Sequence, residues 1–467
     1  MSFQEVLKKD VQIRCEEAYA KVIAYQEKLN ATITPVDPSE QLTEVKTGKL
    51  AGIPIALKDN VSTKGIRTTA ASNILDNYVP VFDATIAKKL KEAGAVVVSK
   101  ASMDELAMGG TNKTANIGPC HNPYDLDRIS GGSSGGSAVL VASGVVPMAI
   151  GSDTGDSVRK PASFCGVVGV KPSYGRISRY GIIPYASSLD HVGYFTTNVE
   201  DAALTLEVLA GRDDKDMTSS YEPVLEYSKL LNSDVNGKKI LILKNVVDAI
   251  KDETILVAFS KVVEGLKEKG AIIKEVSFDN NLMRALFPTY FVIANAEATA
   301  NHSNLDGIRF GHRVNGESME DVMINSRTRG FSSFIKKRFV VGSYSLFEEN
   351  QERMLKKAQR VRRLIVDAIM AELRNADCLI APASGMVAPK IDEVIDESSD
   401  EYLIAENHMV IANFAGLPSL TQPMGFKEGL PFGINLTANP FKEDVLFNIA
   451  LCVEEITGLK DVVKEDF

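Results

Sequence analysis

Residues 127–155 read DRISGGSSGGSAVLVASGVVPMAIGSDTG. Four glycines and three serines fill positions 131–137, and an apolar run follows at once. That run, 137–155, has the character of a helix as far as Gly144 and then of a buried strand that ends in polar residues. The same order recurs in ATIAKKLKEAGAVVVSKASMDE (84–105), where Gly94 stops a helix before a strand of β-branched residues. It returns in GKKILILKN (237–245), a helix reaching about Gly270, and AIIKEVSF (271–278). AGIPIALKDN (51–60) supplies a further buried strand. DCLIAPA (377–383), PSLTQPMGF (418–426) and FGINLTAN (432–439) supply the last ones, before a closing helix from about Glu443. Alternating helices and strands predict an α/β fold with a large, mostly parallel central sheet covered by helices on both faces.

With no repeat, low-complexity tract or long linker, the chain reads as a single domain over 1–467. Residues 2–30 are expected as one amphipathic N-terminal helix (2–29), followed by the Pro-punctuated extended segment TITPVDPSEQ (32–41). A core follows over about 50–200, an elaboration over about 205–340, and a long helix with the closing strands over about 341–467. The long helix is expected from roughly Leu346 to Arg374, with Phe347, Met354, Ala358, Val361 and Ile365 on a face against the sheet.

Composition narrows the function classes. Of 467 residues 45% are hydrophobic and 24% charged, an ordinary globular balance. A net charge of −9 argues against a large nucleic-acid face on this chain, and the absence of Trp against base-stacking platforms. Five scattered cysteines, with no CxxC or Cys/His spacing, read as buried free thiols and not as a zinc site or a disulfide framework. The charged N-terminus and the lack of a long apolar run predict a cytoplasmic protein.

The glycine-serine loop is weighed against three chemistries. A phosphate loop needs a lysine after its last glycine, and Ser137 stands there. A linker would not run directly into an apolar helix. Gly132-Ser133-Ser134-Gly135-Gly136 fits GxSxG, but polar NPYDLDR precedes it where a nucleophile elbow needs a strand. Of the histidines able to serve such an elbow, His302, His312 and His408 all fall in stretches that read as loop or helix surface. A second element, GSDTGDSVRKPASFCG (151–166), places Ser157 at a helix N-terminus, where free N–H groups suit an oxyanion. Lys58 ends a buried strand, and a lysine taken out of water can act as a neutral base near pH 7. Two serines and this lysine make a proton-transfer chain without histidine.

PIALKDN (54–60), GGSSGGSA (131–138) and GSDTGDSVRKPASFCGVVGVKPSYGRISRYG (151–181), in this order, resemble the amidase-signature enzymes over nearly the whole chain. AGLPSLTQPMGF (415–426) and LDGIRFGHR (305–313) look most like members that serve as the A subunit of aspartyl/glutamyl-tRNA amidotransferases. The resemblance implies the amidase-signature fold, with Ser157 as nucleophile, Ser133 as the bridging serine in a cis peptide, and Lys58 as base. It implies an oxyanion cradle of backbone N–H groups from Thr154, Gly155, Asp156 and Ser157. For zwitterionic glutamine it sets Arg338 (in 334-FIKKRFVVGSY-344) against the α-carboxylate, Glu406 where the family usually has an aspartate for the α-amine, and Tyr290 as a pocket wall. Arg338 beside Lys336 and Lys337 reads equally well as a solvated basic cluster.

The implied function is a glutaminase supplying ammonia within a heterotrimer with B and C subunits, for Glu-tRNA(Gln), Asp-tRNA(Asn) or both. No cofactor or metal is expected on this chain; ATP and Mg, and mainly the tRNA, go to the B subunit. The alternatives are a free-standing amidase on another small amide, and a catalytically silent assembly subunit. Two departures from the family pattern stand out: Ser130 replaces a common proline, and Asp156 replaces the glycine before the nucleophile. A carboxylate about 5 Å from the developing oxyanion, at an effective dielectric of about 20, costs on the order of 3 kcal/mol, roughly a hundredfold in rate. The expected arrangement is instead that Asp156 faces away and caps the helix after it, with Arg159 and Lys160 offsetting its charge.

Overall fold

The computed structural model describes residues 1–44 and 46–467. In chain order the strands are β1 (Thr32–Pro35), β2 (Pro54–Lys58), β3 (Val96–Ala101), β4 (His121–Asn122), β5 (Asp125–Ile129), β6 (Met148–Asp153) and β7 (Val168–Lys171). They continue with β8 (His191–Thr196), β9 (Lys239–Leu243), β10 (Ile272–Val276), β11 (Cys378–Pro382), β12 (Ser419–Lys427) and β13 (Leu430–Ala438). Among the described residues eleven of them form one sheet, ordered β1-β3-β2-β6-β8-β7-β12-β13-β11-β9-β10, and β4 pairs with β5 apart from it. Every residue of β2, β3, β6 and β11 is buried. Strands buried on both faces require helices on both faces, as the apolar runs in the sequence predict.

The sheet is mixed, which corrects the expectation of mostly parallel pairing. It is parallel in β3-β2-β6 and in β11-β9-β10, with the edge strand β1 antiparallel to β3. From β6 through β8, β7, β12 and β13 to β11 every pair is antiparallel. Parallel neighbours need a crossover, usually a helix. No helix lies between β7 and β8. β12 and β13 close as a two-residue hairpin at Glu428 and Gly429, both at positive φ as such turns require.

Two helices expected to be continuous are broken. Residues 2–29 form Phe3–Val6 and Val11–Leu29, because Ser2 with Glu5 makes a capping box on the first and Asp10 caps the second. The long C-terminal helix spans Leu355–Leu373; Ser333–Leu346 and Glu348–Gln351 are separate helices before it. Phe347 is extended between them and 56% exposed, while Ala358 and Ile365 are buried. This helix packs on the helices Leu286–Asn301 and Val410–Phe414.

β2 and β6 run side by side in parallel, with Ile55 opposite Met148 and Leu57 opposite Ile150. Their C-terminal ends, Lys58 and the turn after Asp153, therefore emerge next to each other. The buried helix Gly135–Ala142 packs on both strands and brings the loop before it to the same edge.

Candidate active site

Lys58 is fully buried, and no carboxylate pairs with it among the described residues. Its Nζ lies 2.8 Å from Ser133 Oγ, 2.8 Å from Ser134 Oγ and 3.0 Å from Ser152 Oγ, with the Ser152 carbonyl at 3.3 Å. Burial pulls the ammonium down from 10.5 to about 7, against the pull of Asp104, Asp153 and Asp190, which favour the charged form. A lysine so shifted has its uncharged form within reach near neutral pH, and an uncharged amine 2.8 Å from a hydroxyl can take its proton.

The Gly132–Ser133 peptide is cis. The loop is drawn in tightly: Asp104 N–H donates to the Ser133 carbonyl at 3.1 Å, and Ser134 N–H to the Ser157 carbonyl at 3.1 Å. A Cβ at position 132 would stand 2.1 Å from Asp104 Oδ2 and 2.6 Å from the Asn112 nitrogen, so only glycine fits there. The Asp104 carboxylate is fixed in turn by the N–H groups of Thr111 and Asn112 and by the Thr114 hydroxyl. Ser133 and Ser157 are both buried, and among the described residues the Ser157 hydroxyl makes no hydrogen bond, to Ser133 or to any other group.

None of the backbone N–H groups of Thr154, Gly155, Asp156 and Ser157 has an acceptor among the described residues. Buried N–H groups are nearly always satisfied, so a run of free ones is chemically able to receive an oxygen that arrives with a ligand. The turn is clamped from outside. Arg159, fully buried, pairs with Asp153 through Nη2 (2.9 Å) and Nε (3.1 Å) and donates to the Gly155 carbonyl at 2.7 Å. Since a trans peptide points its N–H opposite its C=O, that last bond turns the Asp156 N–H away from the arginine. Arg159 is itself held by the Met409 carbonyl and Asn413, each at 2.7 Å. Although burial alone would raise the Asp153 carboxyl, Arg159 and Lys171 hold it well below the usual carboxylate range.

A cavity of about 470 Å³ is lined by Asp156, which precedes Ser157 in the chain, and by Lys160, Tyr290, Arg338, Tyr402 and Glu406 among others. Arg338 is in it and not in a solvated cluster. It lies over the Phe291 and Phe334 rings and donates to the Tyr185 hydroxyl at 3.2 Å. The contacting helices Leu286–Asn301 and Ser333–Leu346 bring Tyr290 and Arg338 there from the 205–340 region. The Tyr290 ring stands 3.1 Å from where a Cβ on Gly155 would be.

Asp156 departs from expectation. It does not cap the helix; the Val158 N–H is taken by Asp153 at 3.0 Å, and the helix itself begins at Arg159. The Asp156 carboxylate lines the cavity and accepts no hydrogen bond among the described residues. Burial pushes it up to about 6, with Lys160 opposing. Nor do Arg159 and Lys160 pair with it. Arg159 serves Asp153, and Lys160 pairs with Glu406 at 2.6 Å.

The family model for amidases matches residues 9–447. The chain belongs to the amidase family. It is 42% identical over 460 residues to the A subunit of glutamyl-tRNA(Gln) amidotransferase from Lactobacillus acidophilus, covering 96% of this chain and 95% of that one. To the protein of the same name from Sulfurisphaera tokodaii it is 40% identical over 461 residues, covering 97% and 96%. Among solved structures, the A subunit of glutamyl-tRNA(Gln) amidotransferase from Thermotoga maritima superposes with a TM-score of 0.82 at 37% identity, covering 97% of this chain and 94% of that one.

In this amidase His302 and His408, read from sequence as surface residues, are both buried. Burial pushes them down to about 4 and about 3, and neither bonds a serine. Sequence reasoning missed Ser134 and Ser152, which with Ser133 surround the Lys58 amine, and the Asp153–Arg159 clamp. The clamp left a trace: an acid, Asp153, and a base, Arg159, bracket the turn of Ser157, although Asp156 and Lys160 in the same stretch offer competing charges.

Proposed function

We propose that this amidase is the glutamine-hydrolysing, ammonia-donating subunit of a tRNA-dependent amidotransferase. The observation that carries the reading is the buried lysine amine 2.8 Å from Ser133, beside a turn whose N–H groups at 154–157 have no acceptor among the described residues. Identity of 40% and more to subunits of that name, over nearly the full chain, supports it.

Ser157 Oγ attacks the side-chain amide carbon of glutamine while its proton passes to Ser133 and the Ser133 proton to neutral Lys58. The tetrahedral oxyanion is met by the N–H groups of the 154–157 turn. The relay then runs backward and protonates the leaving nitrogen. Ammonia departs, and a glutamyl ester remains on Ser157. Water enters by the same relay, releasing glutamate and restoring the hydroxyl. Arg338 takes the α-carboxylate, and Tyr290 walls the side chain.

B and C subunits complete the assembly in the cytoplasm, with ATP, Mg and most of the mischarged tRNA on the B subunit. The −9 charge here fits that division. The test is glutamate release from glutamine by the chain alone and with both partners, mischarged tRNA and ATP. The expected result is release that depends on the partners and falls at least about a thousandfold in Ser157→Ala. No release by the intact complex, or release unchanged by Ser157→Ala, overturns the reading.

A further inference from the structure

Glu406, at the position from which the α-amine would be held, has its carboxylate already occupied. Oε2 pairs with Lys160 at 2.6 Å, Oε1 accepts from the Gly385 N–H at 2.6 Å, and the Ser384 hydroxyl lies 2.8 and 2.9 Å from the two oxygens. The Glu406 carbonyl also accepts from Lys160, at 3.0 Å. Asp156 is its opposite. It is half-buried in the wall of the same cavity, and neither carboxylate oxygen has a hydrogen-bond or ion-pair partner among the described residues. A carboxylate drawn out of water without a partner favours a ligand that brings a cation. Its rise to about 6 is the shift that such a position produces. Arg338, on the same cavity, supplies the cation for the other end of a zwitterion.

We propose that Asp156, and not Glu406, receives the ammonium group of the substrate. Glu406 acts as a positioning residue that seats Lys160 in the cavity wall. The proposal rests on the glutaminase reading and deepens it by assigning what selects an α-amino acid over other small amides. Only a short aliphatic chain separates the ammonium of glutamine from its amide carbon, so a carboxylate next to the nucleophile in sequence is within its reach. The pairing also bears on the rate. A bare carboxylate beside Ser157 opposes the developing oxyanion, whereas one neutralised by the substrate's own ammonium does not. The ammonium therefore raises kcat as well as lowering KM, and an amide lacking it is handicapped twice.

The test compares glutamine with glutaramate, which is glutamine without its α-amino group, in the complete complex. The variants are Asp156→Asn, Asp156→Gly and Glu406→Gln. A parallel arm measures Kd for both compounds on Ser157→Ala and on Ser157→Ala/Asp156→Asn. In the unaltered protein kcat/KM is expected to favour glutamine by at least about tenfold, the scale of a charge-assisted contact. Both Asp156 variants lower that preference to about one and raise kcat on glutaramate, while Glu406→Gln slows both compounds and keeps the preference. The same collapse is expected in the Kd ratio. A preference that survives in Asp156→Asn, or that disappears in Glu406→Gln alone, overturns the proposal and leaves the glutaminase reading standing. If glutamine is not turned over but the Kd ratio still depends on Asp156, the glutaminase reading fails and the proposal holds. Equal affinity for the two compounds, or none for either, overturns the proposal.

Discussion

Lys58 can accept a proton only when uncharged, and burial sets that point at about 7, against 10.5 in the open chain. Below about 7 the base form is lost, so kcat/KM for glutamine should rise with pH along a limb centred near 7; a limb near 10 would show that burial is not acting on the amine. The same burial loads the fold. The cost of the charged amine is fully present below about 7 and fades as pH climbs to 10.5. Lys58→Met is therefore expected to abolish turnover yet raise Tm at pH 7, by a margin that shrinks toward pH 10 in parallel thermal melts. Arg338→Gln should raise KM for glutamine at least about tenfold with a smaller effect on kcat, checked by steady-state kinetics. At this scale, much was legible from sequence. Lys58, Ser133 and Ser157 each sit in a short motif whose residues lie together in the fold, and Tyr290, Arg338 and Asp156 do share a cavity. What was not legible is which charge pairs with which. Lys160 could answer Asp156 or Glu406, which is 246 residues away, and only tertiary packing decides.

The turn 153–159 is held by an ion pair with both partners fully buried. Arg159→Met leaves Asp153 charged, buried and unpaired, which costs about 3–5 kcal/mol, and it also frees the Gly155 carbonyl. Both a lowered urea midpoint and a collapse of kcat are expected; a loss of stability with kcat intact would mean that the clamp does not orient the oxyanion turn. Elements were legible where one stretch carried its own signal: the buried strands, the helix stopped at Gly94, the closing helix. They were misread where a cap or a pairing partner decides. Asp10 restarts a helix that periodicity alone would run through, and the hairpin at Glu428–Gly429 turns two apolar strands antiparallel where helix–strand alternation implies parallel ones.

All five thiols, Cys15, Cys120, Cys165, Cys378 and Cys452, are buried and free. Burial pushes Cys120 and Cys378 up to about 12 and Cys15 and Cys452 to about 11. They are spread along the chain, so together they report on how it opens. We expect none to react with a thiol reagent in the native protein near pH 8, and all five to appear in one transition as urea is raised, as one continuous domain requires. Staggered appearance, with Cys378 or Cys452 ahead of the others, would divide the chain into separately melting parts. Between whole chain and single residue stands the segment 406–413. It holds Lys160 through Glu406 and Arg159 through the Met409 carbonyl and Asn413, so two adjacent residues of one helix are anchored to the same stretch. Lys160 lines the cavity proposed to hold the substrate, and Arg159 holds the Gly155 carbonyl in the turn proposed to meet the oxyanion. Substrate preference and speed are thus not independently heritable traits in this enzyme: a lineage that drifts in 406–413 toward a new amide changes its turnover with the same mutation, and must regain it elsewhere.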